Sequence, residues 1–365
     1  MLHVAAGNLF GGVETLLVTL ARYQRRSPEI LESEFALCFD GRLKTELREA
    51  GGRVHELGRV RLRNPLSVLR ANAALLKLLR DNRYDAVITH GAWPHALVGG
   101  STKLMRVKLV TWAHGAPLRV GRIDRMAQLI RPDLVIANSR HTAAAVGPQL
   151  GNAPIRTIYC PVEALTPGTR SRSDVRRAFD TSEGSVVIAF AARFERWKGH
   201  ELLLRAAQLL LTRATNDWCI WLCGGVQRPS EIAYKEELET FVQKAGLTNR
   251  VRFLGQRSDI TDIFFSSDVF CQPNTAPEPF GIVFIEALYA GLPVVSTNIG
   301  GAVEIVDETC GLLTETDGEA VADALYQLVT NAGLRDSLAA RAKARARELC
   351  EPELRIRDIA EAIRG

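Results

Sequence analysis

Apolar residues along this chain fall into two kinds of run. Short blocks rich in Val, Ile and aromatic residues alternate with longer stretches whose apolar positions recur every three or four residues. The first kind reads as buried strand, the second as amphipathic helix. The strand runs of the first half are LHVAA (2–6), FALCF (35–39), AVITH (86–90), KLVTWAH (108–114) and LVIANS (134–139). Helices are expected from Val13 to about Arg25, at 43–50 and at 66–80. Strands alternating with helices imply βαβ units and a parallel sheet. The rhythm lapses over 159–179, YCPVEALTPGTRSRSDVRRAF, where Pro, Ser and Arg crowd out apolar residues. It resumes with SVVIAFAAR (185–193), DWCIWLCGG (217–225), VRFLG (251–255), VFCQP (269–273) and LPVVST (292–297). The pattern predicts an α/β chain of two Rossmann-like domains, over 1–160 and 185–346, joined by a linker at 161–184. The tail reads as two helices broken near Pro352. Ligands of such sheets lie beyond the carboxyl ends of the strands, and a cleft between the domains is the default site.

One helix breaks its own pattern. Ile282 to Ala290, IVFIEALYA, is apolar on every side yet carries Glu286, and Glu278 lies just upstream with seven residues between the two. An all-round apolar helix is a buried one, and a buried carboxylate without partners is costly. The free amides at the helix start belong to Gly281, Ile282 and Val283 and suit a phosphate. Glu286 lies five residues on, roughly 7–8 Å along the axis. A diphosphate at the helix start would bring its ribose to Glu286 and the far end of the ligand to Glu278. The competing arrangement pairs Glu286 with an arginine and leaves Glu278 in solvent.

Other candidate groups cluster at strand ends. Arg193 and Lys198, in ARFERWKG, follow the first strand of the second domain, where two cations can neutralise a diphosphate and help it leave. Gly11 and Gly12 open the first helix in FGGVE, a loop that matches neither a dinucleotide fingerprint nor a P-loop. His90 and His114 each end a strand run and precede a glycine, and either could bind a sugar hydroxyl or a leaving oxygen. No Asp-x-Asp, HxxxH or HExxH occurs, so a metal clamp on a diphosphate has no evident ligands.

Composition narrows the classes. No apolar run is long enough to span a membrane, and the first residues read as strand and glycine loop rather than a signal peptide. Seven cysteines without framework spacing imply free thiols in a reducing, cytoplasmic setting. Residues 1–150 hold 22 Lys and Arg against 12 Asp and Glu, whereas the remainder holds 24 against 29. A basic first half is suited to something anionic: phosphate, lipid surface or nucleic acid.

Together these pieces resemble the retaining nucleotide-sugar transferases of glycosyltransferase family 4. EPFGIVFIEALYAGLPVVSTNIGGAVEIV (278–306) is similar to that family's E-x7-E signature with its trailing G-x-P-V-V and G-G-x-x-E-I-V segments. ARFERWKG resembles its R-x4-K-G loop, FGGVE its N-terminal glycine pair, TWAHG its histidine strand end and VRFLGQRSD (251–259) its base pocket. The resemblance covers nearly the whole chain. It implies a GT-B fold, with the two domains across a cleft and a last helix, about 347–365, returning to the first. It implies that Arg193, Lys198, Gly12 and the amides around Phe280, Gly281, Ile282 and Val283 bind the donor diphosphate. Glu286 would take the ribose, Glu278 the sugar near the reacting carbon, His114 the transferred sugar, and main chain near Arg257 the base. Catalytic roles thereby fall to Glu278, Arg193, Lys198 and His114, with retention of configuration and no cofactor or metal.

The expected reaction moves a hexose from a UDP- or GDP-sugar to a saccharide or lipid-linked acceptor, in polysaccharide, lipopolysaccharide or glycolipid synthesis. Arg59, Arg61, Arg63 and Arg70, beside the apolar stripe of helix 66–80, fit peripheral contact with an anionic membrane, or else a solvated face over a core-facing stripe. Nucleic acid would leave the 278–286 block without purpose. The alternatives are a related-fold epimerase or phosphorylase, and an inactive homologue serving as a partner subunit. The first lacks a cofactor lysine or free-phosphate signature; the second would be expected to lose Glu278, Arg193 or Lys198.

Overall fold

Thirteen strand segments are formed among the described residues, which are 1–8, 11–115 and 120–365 of this computed structural model. They make two parallel sheets in two units, Met1–Glu163 with Cys350–Gly365, and Ala164–Leu349. The first sheet consists of β1 (Leu2–Ala5), β2 (Glu34–Leu37), β3 (Arg53–Glu56), β4 (Ala86–His90), β5 (Lys108–Ala113), β6 (Leu134–Ala137) and β7 (Ile155–Thr157). Their spatial order is β3-β2-β1-β4-β5-β6-β7. The second sheet contains β8 (Val186–Ala191), β9 (Trp218–Cys223), β10 (Val251–Gly255), β11 (Val269–Gln272), β12 (Val294–Thr297) and β13 (Gly311–Thr314), in the order β10-β9-β8-β11-β12-β13. Helical crossovers between successive strands enforce the parallel pairing.

Strand order reverses direction between β1 and β4 and again between β8 and β11. At such switch points the loops leave in opposite directions and open a crevice at the carboxyl ends. The loops after β8 and β11 carry Arg193, Lys198 and Glu278, so three of the charged side chains singled out above stand at this second crevice.

Central strands are apolar and buried along their whole length, as in β9, whose six residues WCIWLC are all buried. Both of its cysteines, Cys219 and Cys223, serve the core, and all seven cysteines are buried free thiols. The strands that the hydrophobic pattern missed are β3, β7 and β13. The first two are sheet-edge strands, RVHE and IRT, with largely polar, exposed residues. The segment expected as linker instead holds a helix, Arg172–Ala178, built into the second unit. Its Arg176 is fully buried and donates to the main-chain oxygens of Ser182, Glu183, Ser185 and Ser266 and to Asp268. An arginine saturated in this way looks polar in sequence but behaves as a core residue.

The tail passes to the first unit at Cys350, just ahead of the last helix, Pro352–Arg364. That helix belongs to the first unit. Ile356, Ile359 and Ile363 are buried, Tyr23 donates to Glu353 at 3.1 Å, and Lys108 donates to the Ile363 carbonyl at 2.6 Å.

Candidate active site

In the second unit, β8 ends at Ala191 and the chain turns through a single 3₁₀ turn, Arg196–Lys198, before the helix His200–Arg213. Gly199 makes that turn with φ of +82°, and a Cβ there would lie 1.8 Å from the Pro273 carbonyl oxygen. The loops after β8 and β11 are therefore pressed together at this glycine, which brings Lys198 to Glu278. Lys198 Nζ lies 2.5 Å from Glu278 Oε2 and 3.9 Å from the centre of the Trp197 ring.

Glu278 is only 8% exposed, so the sequence-level alternative of a solvated side chain is not the one formed. Asn274 Nδ2 donates to the same carboxylate oxygen at 3.5 Å. Asn274 is itself fixed by Gln272 Nε2 at 3.0 Å and, through its carbonyl, by the Thr297 hydroxyl at 2.6 Å. Gly300 and Gly301 close the other side. A Cβ on Gly300 would stand 2.6 Å from the Glu278 main chain, and the Gly301 amide donates to the Glu278 carbonyl at 2.6 Å.

The apolar helix spans Ile282–Tyr289, with Gly281 at its cap and Phe280 buried beneath it. The amides of Ile282 and Val283 belong to the first turn, where the helix supplies no acceptor. Glu286 sits one turn further on, between the buried Ile285 and Ala287, and is itself half-buried. Among the described residues its carboxylate meets no arginine and has no hydrogen-bond partner. Burial alone raises its pKa from 4.5 to about 7. The competing arginine pairing is thus absent among the described residues, and a carboxylate is held at a helix start with unused acceptor capacity.

Arg193 is held by two carboxylates, Glu195 at 2.9 Å and the buried Glu231 at 3.3 Å. Glu231 also accepts from the Gln227 amide at 2.6 Å. Arg257 forms a fork-to-fork pair with Asp259 at 2.8 and 2.7 Å and stacks over Phe179 at 5.4 Å. Its guanidinium is thereby paired within its own loop.

In the first unit, Gly12 is the first residue of an exposed helix start, Gly12–Gln24. His114 follows β5. Its Nε2 lies 2.9 Å from His90 Nδ1, its ring stacks on Trp112, and burial lowers its pKa to about 3. It is a neutral imidazole at any ordinary pH.

Comparison with known proteins gives the same arrangement a lineage. The model described as glycosyltransferase family 4 matches residues 10–164, and the one described as glycosyl transferases group 1 matches 171–345. The chain belongs to the family 4 glycosyltransferases. It is 37% identical over 184 residues to a D-inositol 3-phosphate glycosyltransferase of Corynebacterium urealyticum, covering 49% of this chain and 43% of that protein. To the protein of the same description from Corynebacterium diphtheriae it is 34% identical over 282 residues, covering 70% of this chain and 65% of the relative. The chain thus spans less than two thirds of the length of these relatives. The crystal structure of Anabaena HepE in complex with UDP-glucose superposes with a TM-score of 0.85 at 26% identity, covering 100% of this chain and 98% of that one. The fold is of the GT-B type that family membership leads one to expect.

Sequence reasoning singled out Glu286 as a carboxylate in an apolar helix, Glu278 as its upstream companion, and Arg193 and Lys198 as cations on a loop at a strand's carboxyl end. It missed Asn274, Glu195 and Glu231, which hold the charged groups in place. Glu195 lies two residues from Arg193 and could have been suspected; Glu231 lies 38 residues away and carries no local signal.

Proposed function

We propose that this chain is a retaining glycosyltransferase that moves a hexose from a nucleotide-diphosphate sugar to a saccharide or lipid-linked acceptor. The observation that carries the reading is the Glu286 carboxylate, partnerless among the described residues and held one turn beyond an open helix start. Nothing in the packing of the helix calls for a carboxylate there, whereas a pair of ribose hydroxyls would satisfy it. The UDP-glucose complex of HepE supports a uridine diphosphate donor as the first choice.

In this reading the diphosphate rests on the amides of Gly281, Ile282 and Val283, with Phe280 backing the turn. Arg193 and Lys198 supply the positive charge that stabilises the departing diphosphate, the part a divalent metal plays elsewhere. The Lys198 ammonium, already on Glu278, is shared with the phosphate when donor binds, and Glu278 turns its remaining lone pairs to sugar hydroxyls near the anomeric carbon. Gly12 in the first unit offers a further amide to the diphosphate, main chain near Arg257 frames the base, and His114 contacts the transferred sugar. No side chain is assigned as a general base.

The test is a panel of nucleotide sugars, following release of nucleoside diphosphate in the absence of acceptor. Wild-type protein is expected to release nucleotide slowly from one or a few donors. Lys198→Ala should reduce that rate by about a hundredfold, the scale of losing one charge-stabilising group, and wild-type rates in Lys198→Ala and Glu278→Ala alike would sink the assignment.

A further inference from the structure

Three of the seven histidines form one hydrogen-bonded line through the first unit's sheet. Register explains how. His3 on β1 pairs across to Ile88, so His90 stands two residues farther along β4 on the same face. His90 pairs across to Trp112, so His114 again stands two residues farther on, just past β5. At the other end, His3 pairs with Phe35, and Ser33 lies two residues before it, just ahead of β2. The line therefore climbs diagonally across four neighbouring strands, from the amino edge of the sheet to its carboxyl edge.

The contacts are continuous. Ser33 Oγ lies 3.2 Å from His3 Nε2, His3 Nδ1 lies 2.9 Å from His90 Nε2, and His90 Nδ1 lies 2.9 Å from His114 Nε2. Successive rings lie edge to edge, with centroids 5.2 Å apart in both steps and planes inclined by only 26° and 15°, as in-line hydrogen bonds between ring nitrogens require. Ser33 and His3 are 2% and 0% exposed and His90 7%, and only His114 opens partly to its surroundings.

We propose that His90 and His3 are positioning residues for His114: with Ser33 they form one tautomeric chain that holds its ring and fixes the hydrogen-bonding sense of its outer nitrogen, Nδ1. This rests on the reading of His114 as a contact of the transferred sugar. The argument is one of donor and acceptor bookkeeping. A neutral imidazole has one N–H and one lone pair. Each junction in the line needs one of each, so all three rings must carry the proton on Nδ1, or all three on Nε2. If Ser33 donates into the line, every ring is an Nδ1–H tautomer and His114 presents a donor. If Ser33 accepts, every ring is an Nε2–H tautomer and His114 presents a lone pair. One ring out of phase would oppose two N–H groups or two lone pairs at buried junctions, which loses a hydrogen bond and leaves a buried polar atom unpaired. Neutrality is secured by burial, which lowers the pKa of His3 and His114 to about 3 and that of His90 well below its usual value.

The experiment uses the full chain labelled with 15N-histidine. Long-range 15N–1H correlation spectra report the tautomer of each ring, assigned by single substitutions. All three rings are expected to share one tautomer in the wild type. His3→Phe keeps an aromatic ring and does not touch His114, yet it should change the His114 tautomer pattern and lower kcat by about tenfold, roughly one oriented hydrogen bond. Donor KM should move by less than about twofold. Ser33→Ala should shift the His114 pattern too, and His3→Gln, which can both donate and accept, should recover part of kcat. Unlike tautomers in the wild type, or a His114 pattern unmoved in both His3→Phe and Ser33→Ala, would overturn the proposal. If the spectra behave as expected while His114→Ala turns over donor as wild type does, the assignment of His114 to the sugar fails and the chain itself stands.

Discussion

Glu286 makes the fold sensitive to pH in a direction opposite to that of most acidic residues. Its pKa in the folded protein is about 7 rather than 4.5. Between those values the native state holds a proton that the unfolded chain has released, so stability falls as pH rises through that window and the full deficit is present above it. Glu286→Gln removes the effect. With the shift discounted for the partial exposure of the residue, the variant should exceed wild type by about 2 kcal/mol at pH 8 and match it at pH 4. Urea unfolding at the two pH values measures this, and a gap independent of pH would contradict the account. At this scale the sequence showed the anomaly, a carboxylate in an apolar helix, but not its surroundings. The partners of Arg193 and Glu278, namely Glu231 and Asn274, reach them through the fold rather than along the chain.

At the level of elements, the loops carry the site and glycines decide how closely they approach. Gly199 and Gly246 both have positive φ, +82° and +70°, yet only Gly199 lacks room for a Cβ. Gly246→Ala meets nothing within 4 Å and should cost only the conformational penalty, about 1 kcal/mol. Gly199→Ala must also push the Pro273 carbonyl aside, so it should cost at least about 3 kcal/mol. It should also abolish most turnover, because Lys198 is the preceding residue. Thermal unfolding of the two variants separates these effects, and equal losses would mean that the crossing of the loops is not tight. The buried strands were legible because parallel sheets covered on both faces require continuous apolar runs. The edge strands β3 and β7 were not, because their stability comes from one ladder of backbone hydrogen bonds rather than from side chains.

Over the whole molecule, duplication of the α/β unit could be read from the lapse and return of the strand rhythm, although Arg176 shows how a buried arginine disguises structured chain as linker. The charge asymmetry also has a structural counterpart in the first unit. In helix Pro65–Asp81, Leu75 and Leu79 are buried, whereas Leu66 and Leu69 are 63% and 65% exposed. They stand beside Arg59, Arg61, Arg63 and Arg70. We propose that this edge meets an anionic membrane surface, in keeping with a lipid-linked acceptor. No helix of the described residues is long and apolar enough to cross a membrane. The protein should sediment with vesicles containing anionic lipid, and release on raising salt from about 0.1 to 0.5 M is expected from screening. Leu66→Ser with Leu69→Ser should weaken the association, and equal binding to neutral vesicles would contradict it.

The most direct test of the donor site is calorimetric titration of wild type and Glu286→Ala with uridine diphosphate. The account predicts measurable binding by wild type and a loss of about thirtyfold or more in the variant, the cost of removing a charged acceptor from two hydroxyls. Equal affinity in the two proteins would contradict it, since the unused carboxylate would then have no ribose to hold.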